Sequence, residues 1–325
     1  MKQKNKKALI CGVSGQDGGW LSKFLISKGY EVWGTTRKKG DAHLGNLRQL
    51  GIQNQVMVTT MNPENYQSVF EVIKASSPDE VYYLAGQSSV GMSFVEPVET
   101  ISSIALGTLN VLEACRKYDK NIRIYNAGSG ECFGDTKGRA ANENTPFKPQ
   151  SPYAAAKVSA YWFVNSYRES YGMYACTGIL FNHESPLRPK HFVTQKVIST
   201  ARQIAGGDHV HLELGCLDIS RDWGWAPEYV EAMWLMLQKD NAEDYVIATG
   251  VANSLEDFVC TVFKQLGMDW KEYVKISNEF HRPNDIRYSC GDATKANINL
   301  GWKPSKRMKD IIPLMIKKNK VNYNE

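Results

Sequence analysis

The first half of the chain alternates short apolar runs with helix-length amphipathic ones, and this alternation restricts the fold more than any other feature. KALICGV (7–13), EVWGTTR (31–37), QVMVTT (55–60), DEVYYLAG (79–86) and IRIYNAG (122–128) read as strands. Between them GGWLSKFLISKG, NYQSVFEVIKAS and LGTLNVLEACRKY carry apolar residues at helical spacing. YAAAKVSAYWFVNSYRESYG is a further long helix and CTGILF a further strand. Parallel strands need a crossover of a dozen or more residues, which these helices supply. The expected architecture is therefore an α/β, doubly wound parallel sheet of the Rossmann type, with helices on both faces.

After Asn182 the texture changes to Pro-rich turns, HVHLELG, the helix PEYVEAMWLMLQ and a loop-rich segment around FHRPNDIRYSCGD. No linker separates this part. We expect a Rossmann domain over 1–181 and a smaller, mainly substrate-binding region over 182–325, with parts of 219–250 returning to the first domain.

The totals exclude several function classes. A formal charge of +5 over 325 residues is small, and no basic stretch carries interleaved aromatics, which argues against nucleic-acid binding. No apolar run reaches membrane-spanning length. The basic head MKQKNKK has no apolar signal region behind it, so a cytoplasmic location is expected. Seven cysteines without a CxxC pair read as reduced thiols, and six histidines without HxxxH argue against a metal site.

Gly12, Gly15 and Gly18 stand at GxxGxxG spacing between the first strand and the first helix, with Gln16 and Asp17 inside the turn. Glycine there lets the backbone approach a pyrophosphate, which then lies on amides at the positive helix end. The bland alternative is a tight strand–helix turn, but its place in the first unit of a βαβ series favours a dinucleotide. The second strand ends in Thr36-Arg37-Lys38 where an NAD site usually offers an acid. Arg37 and Lys38 suit a 2′-phosphate, so NADP is expected, with NAD the alternative if this is only a basic surface turn. Asn62 is a candidate for the adenine, and Leu84, Ala85 and Gln87 for the pyrophosphate and nicotinamide ribose.

Tyr153 and Lys157, four apart in SPYAAAK, share one helix face, and Ser129 and Glu131 end the fifth strand. A phenol with a pKa near about 10 is a poor base at neutral pH, but a nearby ammonium favours its ionised form. YxxxK alone is common on helix surfaces. Behind a glycine-rich loop and a Ser-x-Glu strand end it points to proton transfer at a hydroxyl-bearing carbon.

With GxxGQDG at 12–18, SPYAAAK, GILFNHESPLR (178–188), LGCLDISRDWGWAPEYVEAMWLML from Leu214 and FHRPNDIRYSCGDATKA from Phe280, the chain resembles the extended short-chain dehydrogenase/reductases. Within them it is similar to the GDP-mannose 4,6-dehydratases over nearly its whole length. The resemblance implies a redox-neutral conversion of a GDP-hexose. C4 is oxidised by way of Tyr153, a glutamate removes the C5 proton as the C6 hydroxyl departs, and hydride returns to C6. Glu131 matches the family's base, and Ser129 its hydroxyl residue at the C4 oxygen. By the same matching Lys157, His183 and Arg188 would touch the cofactor. Ser88, Asn182, Val193, Lys196, Leu214, Gly215, Arg221, Arg282 and Asp285 would hold the nucleotide sugar, the arginines suiting a diphosphate. The family suggests a homodimer or homotetramer.

Four positions depart from the family pattern. Gly130 stands where the middle side chain of Thr-Ser-Glu belongs, Phe133 replaces a tyrosine, Ile104 an Asn or Asp, and Asp285 a longer acid. These leave room for a related GDP-sugar enzyme: a GDP-heptose 4,6-dehydratase, a 4-keto reductase or an epimerase. A non-catalytic nucleotide-sugar or NADP-binding protein is the reading from another class.

Overall fold

The structure, a computed structural model, describes residues 5–38, 40, 44–280 and 283–317. Its centre is a seven-stranded sheet with every pairing parallel. The first six strands are β1 (Lys7–Cys11), β2 (Glu31–Thr36), β3 (Val56–Thr60), β4 (Glu80–Tyr83), β5 (Arg123–Ser129) and β6 (Ala175–Leu180). They follow the order 3-2-1-4-5-6, with a seventh strand at Tyr245–Ile247 added beside β6. Alternate residues serve opposite faces, as a strand requires. Leu9, Val81 and Ile124 pack under the helices Tyr66–Ser76 and Gly107–Tyr118. Ile10, Tyr82 and Tyr125 face the other side, where Gln16–Ser27 and Ala226–Met236 lie together. Helices on both faces explain why these strands are nearly continuous apolar runs.

Two elements were not legible as such in the sequence. Tyr245–Ile247 is a three-residue strand, too short to show a period. The helix read at 106–118 extends back to Pro97 through a π-turn at Ser102–Leu106. Pro97 sits at the first helical position, where a missing N–H is harmless.

One residue after β6, Phe181, the chain enters β7 (Asn182–Glu184), which pairs with β9 (Ser220–Trp225) in a second sheet. The strands at Ala252–Ser254 and Tyr288–Ser289 flank β9, and β8 (Leu212–Leu214) pairs with Val274–Ile276. Val197, Leu212, Trp223, Phe258 and Ile311 form the core of this smaller part. The arrangement sets it over the C-terminal ends of β1, β4, β5 and β6. Among the described residues no helix is long and apolar enough to cross a membrane, and no group of side chains could hold a metal.

Candidate active site

The glycine turn has the shape a pyrophosphate needs. Gly12 holds φ at +90°, and a Cβ on Gly18 would stand 2.4 Å from the Gly12 carbonyl oxygen and 2.7 Å from Val13 Cα. Any side chain there would push the helix Gln16–Ser27 off β1. A cavity of about 250 Å³ opens over this turn, lined by Gly12, Gly15, Gln16, Asp17, Gly18, Arg37, Leu84, Ala85, Ser88 and Arg188. Thr36 and Ser103, not picked out from the sequence, join them. Ser103 is brought in by the π-turn, a distortion of the kind that often marks functional sites. Lys38, Asn62 and Gln87 line neither this cavity nor the one beside it. The Gln87 amide donates instead to Ser89 O and Thr100 Oγ1, and Asn62 Oδ1 accepts from the Glu64 amide.

Asp17 ties this turn to the second half of the chain. His183 Nε2 lies 2.9 Å from Asp17 Oδ2, and its Nδ1 lies 2.7 Å from the Phe181 carbonyl oxygen. The imidazole stacks on Tyr229, with ring centroids 4.6 Å apart. Burial opposes charge on the ring, yet the Asp17 carboxylate outweighs it and raises the His183 pKa. Burial likewise works to raise Asp17, and His183 with Arg188 brings it below the usual carboxylate value. Gln16 and Trp20 add hydrogen bonds to His183 O and Ser185 Oγ. Both His183 nitrogens are therefore engaged within the protein, holding β7 against the first turn of the helix.

A second cavity of about 320 Å³ brings together Ser129, Glu131, Tyr153 and Lys157. The same wall contains Ser88, Asn182, His183, Val193, Lys196, Leu214, Gly215, Arg221 and Asp285. Asp17, Leu84, Ser88, Arg188 and Phe192 line both cavities, so the two adjoin. Arg282 lies outside the described residues.

Local sequence explains how the four reacting candidates meet. Ser129 ends β5 and its Oγ accepts from the Glu131 amide at 3.2 Å, capping a short turn that aims Glu131 at the cavity. Ser151 caps the helix Pro152–Tyr171 by accepting from the Ala154 amide at 3.1 Å. Pro152 starts that helix, Tyr153 follows in its first turn, and Lys157 comes one turn later. Ser129 hydrogen-bonds the Tyr153 phenol. Lys157 Nζ donates to the Ala127 carbonyl oxygen at 2.7 Å and stands 5.8 Å from the centre of the Tyr153 ring.

The electrostatics follow from burial. Tyr153 is pushed well above the usual phenol value, first by desolvation and then by the Glu131 charge, with Ser129 working against both. Burial pulls Lys157 down to about 8. A lysine lowered in the folded state carries a penalty that is fully present below the folded pKa. The penalty fades as pH rises toward the unfolded value. Lys157→Met should therefore stabilise the fold at pH 7 by roughly 1–3 kcal/mol, since each pKa unit corresponds to about 1.4 kcal/mol. Denaturant titrations at pH 7 and pH 10 test this: the gain should shrink at the higher pH, and a destabilised variant at pH 7 would refute it.

The departures from the family pattern fall around this group. Ile104 is buried against Tyr153, Ala156 and Ala160, so apolar atoms stand where a polar side chain is expected. A Cβ at Gly130 would meet three atoms of the Phe181 ring at 3.0 Å, so any side chain there requires that ring to shift by a few tenths of an ångström. Phe133 stacks on the same ring at 6.1 Å. Asp285 pairs with the buried Arg221 at 3.0 Å.

Glu184 and Phe192 are among the cavity residues without a sequence-based expectation. Glu184 is a buried carboxylate accepting from Thr194 Oγ1 at 2.6 Å and facing Arg188 Nε at 3.4 Å. It stood inside the NHESP run and was open to recognition. Phe192, whose ring lies 3.7 Å beneath the Arg188 guanidinium, gave no signal beyond being aromatic.

The chain and its fold have counterparts among known proteins. A sequence profile for the family described as GDP-mannose 4,6 dehydratase matches residues 9–315. GDP-mannose 4,6 dehydratase 2 of Arabidopsis thaliana is 42% identical over 97% of this chain and 87% of its own length. The human GDP-mannose 4,6 dehydratase is 37% identical over 97% of this chain and 92% of its own. Among solved structures, the Thermus thermophilus UDP-glucose 4-epimerase with NAD superposes at a TM-score of 0.83. It has 24% identity and is covered to 97%, against 95% of this chain. The dTDP-glucose 4,6-dehydratase of Bacillus anthracis with NAD gives 0.84 at 18% identity, over 96% of this chain and 95% of that one. At such identities the superpositions speak for the fold alone. The profile match and the full-length relatives go further: this chain belongs to the GDP-mannose 4,6-dehydratase family.

Proposed function

We propose that the chain converts a GDP-hexose, GDP-mannose first, to its 4-keto-6-deoxy form with NADP as cofactor. The observation that carries this is the convergence of Ser129, Glu131, Tyr153 and Lys157 on one cavity that adjoins the glycine cradle. The cradle of Gly12, Gly15 and Gly18 would hold the dinucleotide, whose nicotinamide would supply a hydride acceptor for C4 and a hydride donor for C6. The side chains handle the protons. Tyr153 takes the proton of the C4 hydroxyl, while Ser129, hydrogen-bonded to its phenol, orients that oxygen. Lys157, set one turn behind with its Nζ 5.8 Å from the ring centre, is the cation we assign to offset the burial that raises the phenol. The 4-ketone acidifies the C5 proton, which Glu131 removes as the C6–O bond breaks. Glu131 passes the C5 proton to the departing C6 hydroxyl, which leaves as water, and the proton that Tyr153 took from the C4 hydroxyl balances the one C5 regains as hydride reaches C6. With no side chain at Gly130, we assign Glu131 both transfers, removal of the C5 proton and its delivery to the leaving oxygen.

Arg221, buried and held by Asp285, suits the diphosphate, and Lys196, over the Phe280 ring at 3.6 Å, lies toward the nucleoside end. Val95, at the end of the helix Val90–Val95, and Val98, in Pro97–Ile101, are 72% and 76% exposed, and Trp162 is 56% exposed on the helix of Tyr153. That apolar surface supports assembly with a second copy. Incubation with GDP-mannose and no added reductant tests the whole reading. Mass spectrometry should find a product lighter by one water, and an unchanged sugar across a GDP-sugar panel would sink it.

Arg37 supports the NADP assignment, because it lines the cradle at the end of β2 without an acid beside it on that strand. Arg37→Asp should therefore weaken NADP at least about ten-fold relative to NAD, as expected for replacing an attractive charge by a repulsive one. Titration with both cofactors checks it, and an unaltered ratio would place the 2′-phosphate elsewhere.

A further inference from the structure

Arg37 does not face the smaller cavity alone. Its Nη1 is ion-paired with Oε1 of Glu99, which comes from the helix Pro97–Ile101 rather than from β2. The two side chains are 57% and 38% exposed, and pairs so exposed contribute little to stability. The effect of the pair is to set an anion and a cation side by side where β2 ends. Glu99 does not itself line the cavity, but its ion pair with Arg37, which does, sets its carboxylate one guanidinium away from that wall. β2 ends in Thr35-Thr36, followed by Arg37, and this end offers no carboxylate for a ribose hydroxyl.

We infer that Glu99 is a specificity-determining residue that sets the balance between the two nicotinamide dinucleotides. The inference rests on the reading of Arg37 as the 2′-phosphate contact. Held against Arg37, the Glu99 carboxylate brings beside the end of β2 the negative charge that an acid on that strand would bring, which favours an unphosphorylated adenosine ribose. A 2′-phosphate instead takes the outer donors of the Arg37 fork while standing close to the negative charge of Glu99. The same carboxylate that orients the guanidinium thus works against the phosphorylated cofactor, so NAD competes better than Arg37 alone would allow.

The experiment is fluorescence titration of the full-length protein with NADPH and with NADH, comparing the parent, Glu99→Gln and Arg37→Gln. Glu99→Gln keeps the shape and a hydrogen-bonding group while removing the charge. It should raise the NADPH-over-NADH affinity ratio about five-fold, the size of one like-charge contact near a surface. Arg37→Gln should lower the same ratio. If Arg37→Gln lowers it and Glu99→Gln leaves it unchanged, the phosphate contact stands and the role given to Glu99 is overturned. If Arg37→Gln leaves it unchanged, the assignment of Arg37 falls, and with it the inference. The parent's circular dichroism, retained in both variants, shows that the ratios report on intact sites.

Discussion

Glu131→Gln is expected to stop the reaction after its first step, with turnover lowered roughly 10³-fold, as the loss of a general acid–base group implies. Glutamine keeps the length and polarity of the side chain but has no basic oxygen for the C5 proton. In the proposed mechanism oxidation at C4 runs through Tyr153, so it should survive. The variant should accumulate reduced nicotinamide with bound 4-keto sugar, visible as absorbance in a single turnover. It should also exchange no C5 hydrogen for solvent deuterium. Release of the 6-deoxy product near the parent rate would reduce Glu131 to turn chemistry and remove the proposed mechanism.

Tyr153→Phe should fail one step earlier and at least as severely, by roughly 10³-fold or more. The ring stays in its pocket beside Ile104, Ala156 and Ala160, and only the oxygen that meets Ser129 is lost. Such a change costs about 1 kcal/mol of stability, the usual worth of one hydrogen bond. Binding of a GDP-sugar should persist, but no nicotinamide absorbance should develop. The contrast with Glu131→Gln is the informative part, since one variant stalls before cofactor reduction and the other after it. Rapid reduction in Tyr153→Phe would assign the first proton to another group.

The sheet was legible in the sequence because the information for it is local. β1 to β6 each carry enough apolar residues in a row, and the intervening helices enough turns, for the period to show. The glycine turn was legible for a similar reason, since its spacing expresses a steric demand met within seven residues. Tyr153 and Lys157 were readable as a pair from their four-residue separation. That Ser129 and Glu131 border the same cavity was an expectation that only the fold could address, through β5 ending beside the first turn of the helix Pro152–Tyr171.

Other features depend on contacts far apart along the chain, where no sequence period exists. His183 was read as a cofactor contact, but its two ring nitrogens are used by Asp17 and Phe181, the former 166 positions away. Lys38, Asn62 and Gln87 were placed at the cofactor from their neighbourhood in sequence. None of the three lines either cavity, and the Gln87 amide is held by Ser89 and Thr100, contacts that no sequence period announces. The pairing of Arg37 with Glu99 is likewise tertiary, because it joins a strand end to a helix that the sequence did not reveal as one. Strand and helix periods, cap residues and the demand for glycine are short-range physics and were written in the chain. Which buried charges meet, and which side chains border the cavity, was decided by packing, because desolvation forces each buried charge to a partner that only the folded topology brings within reach.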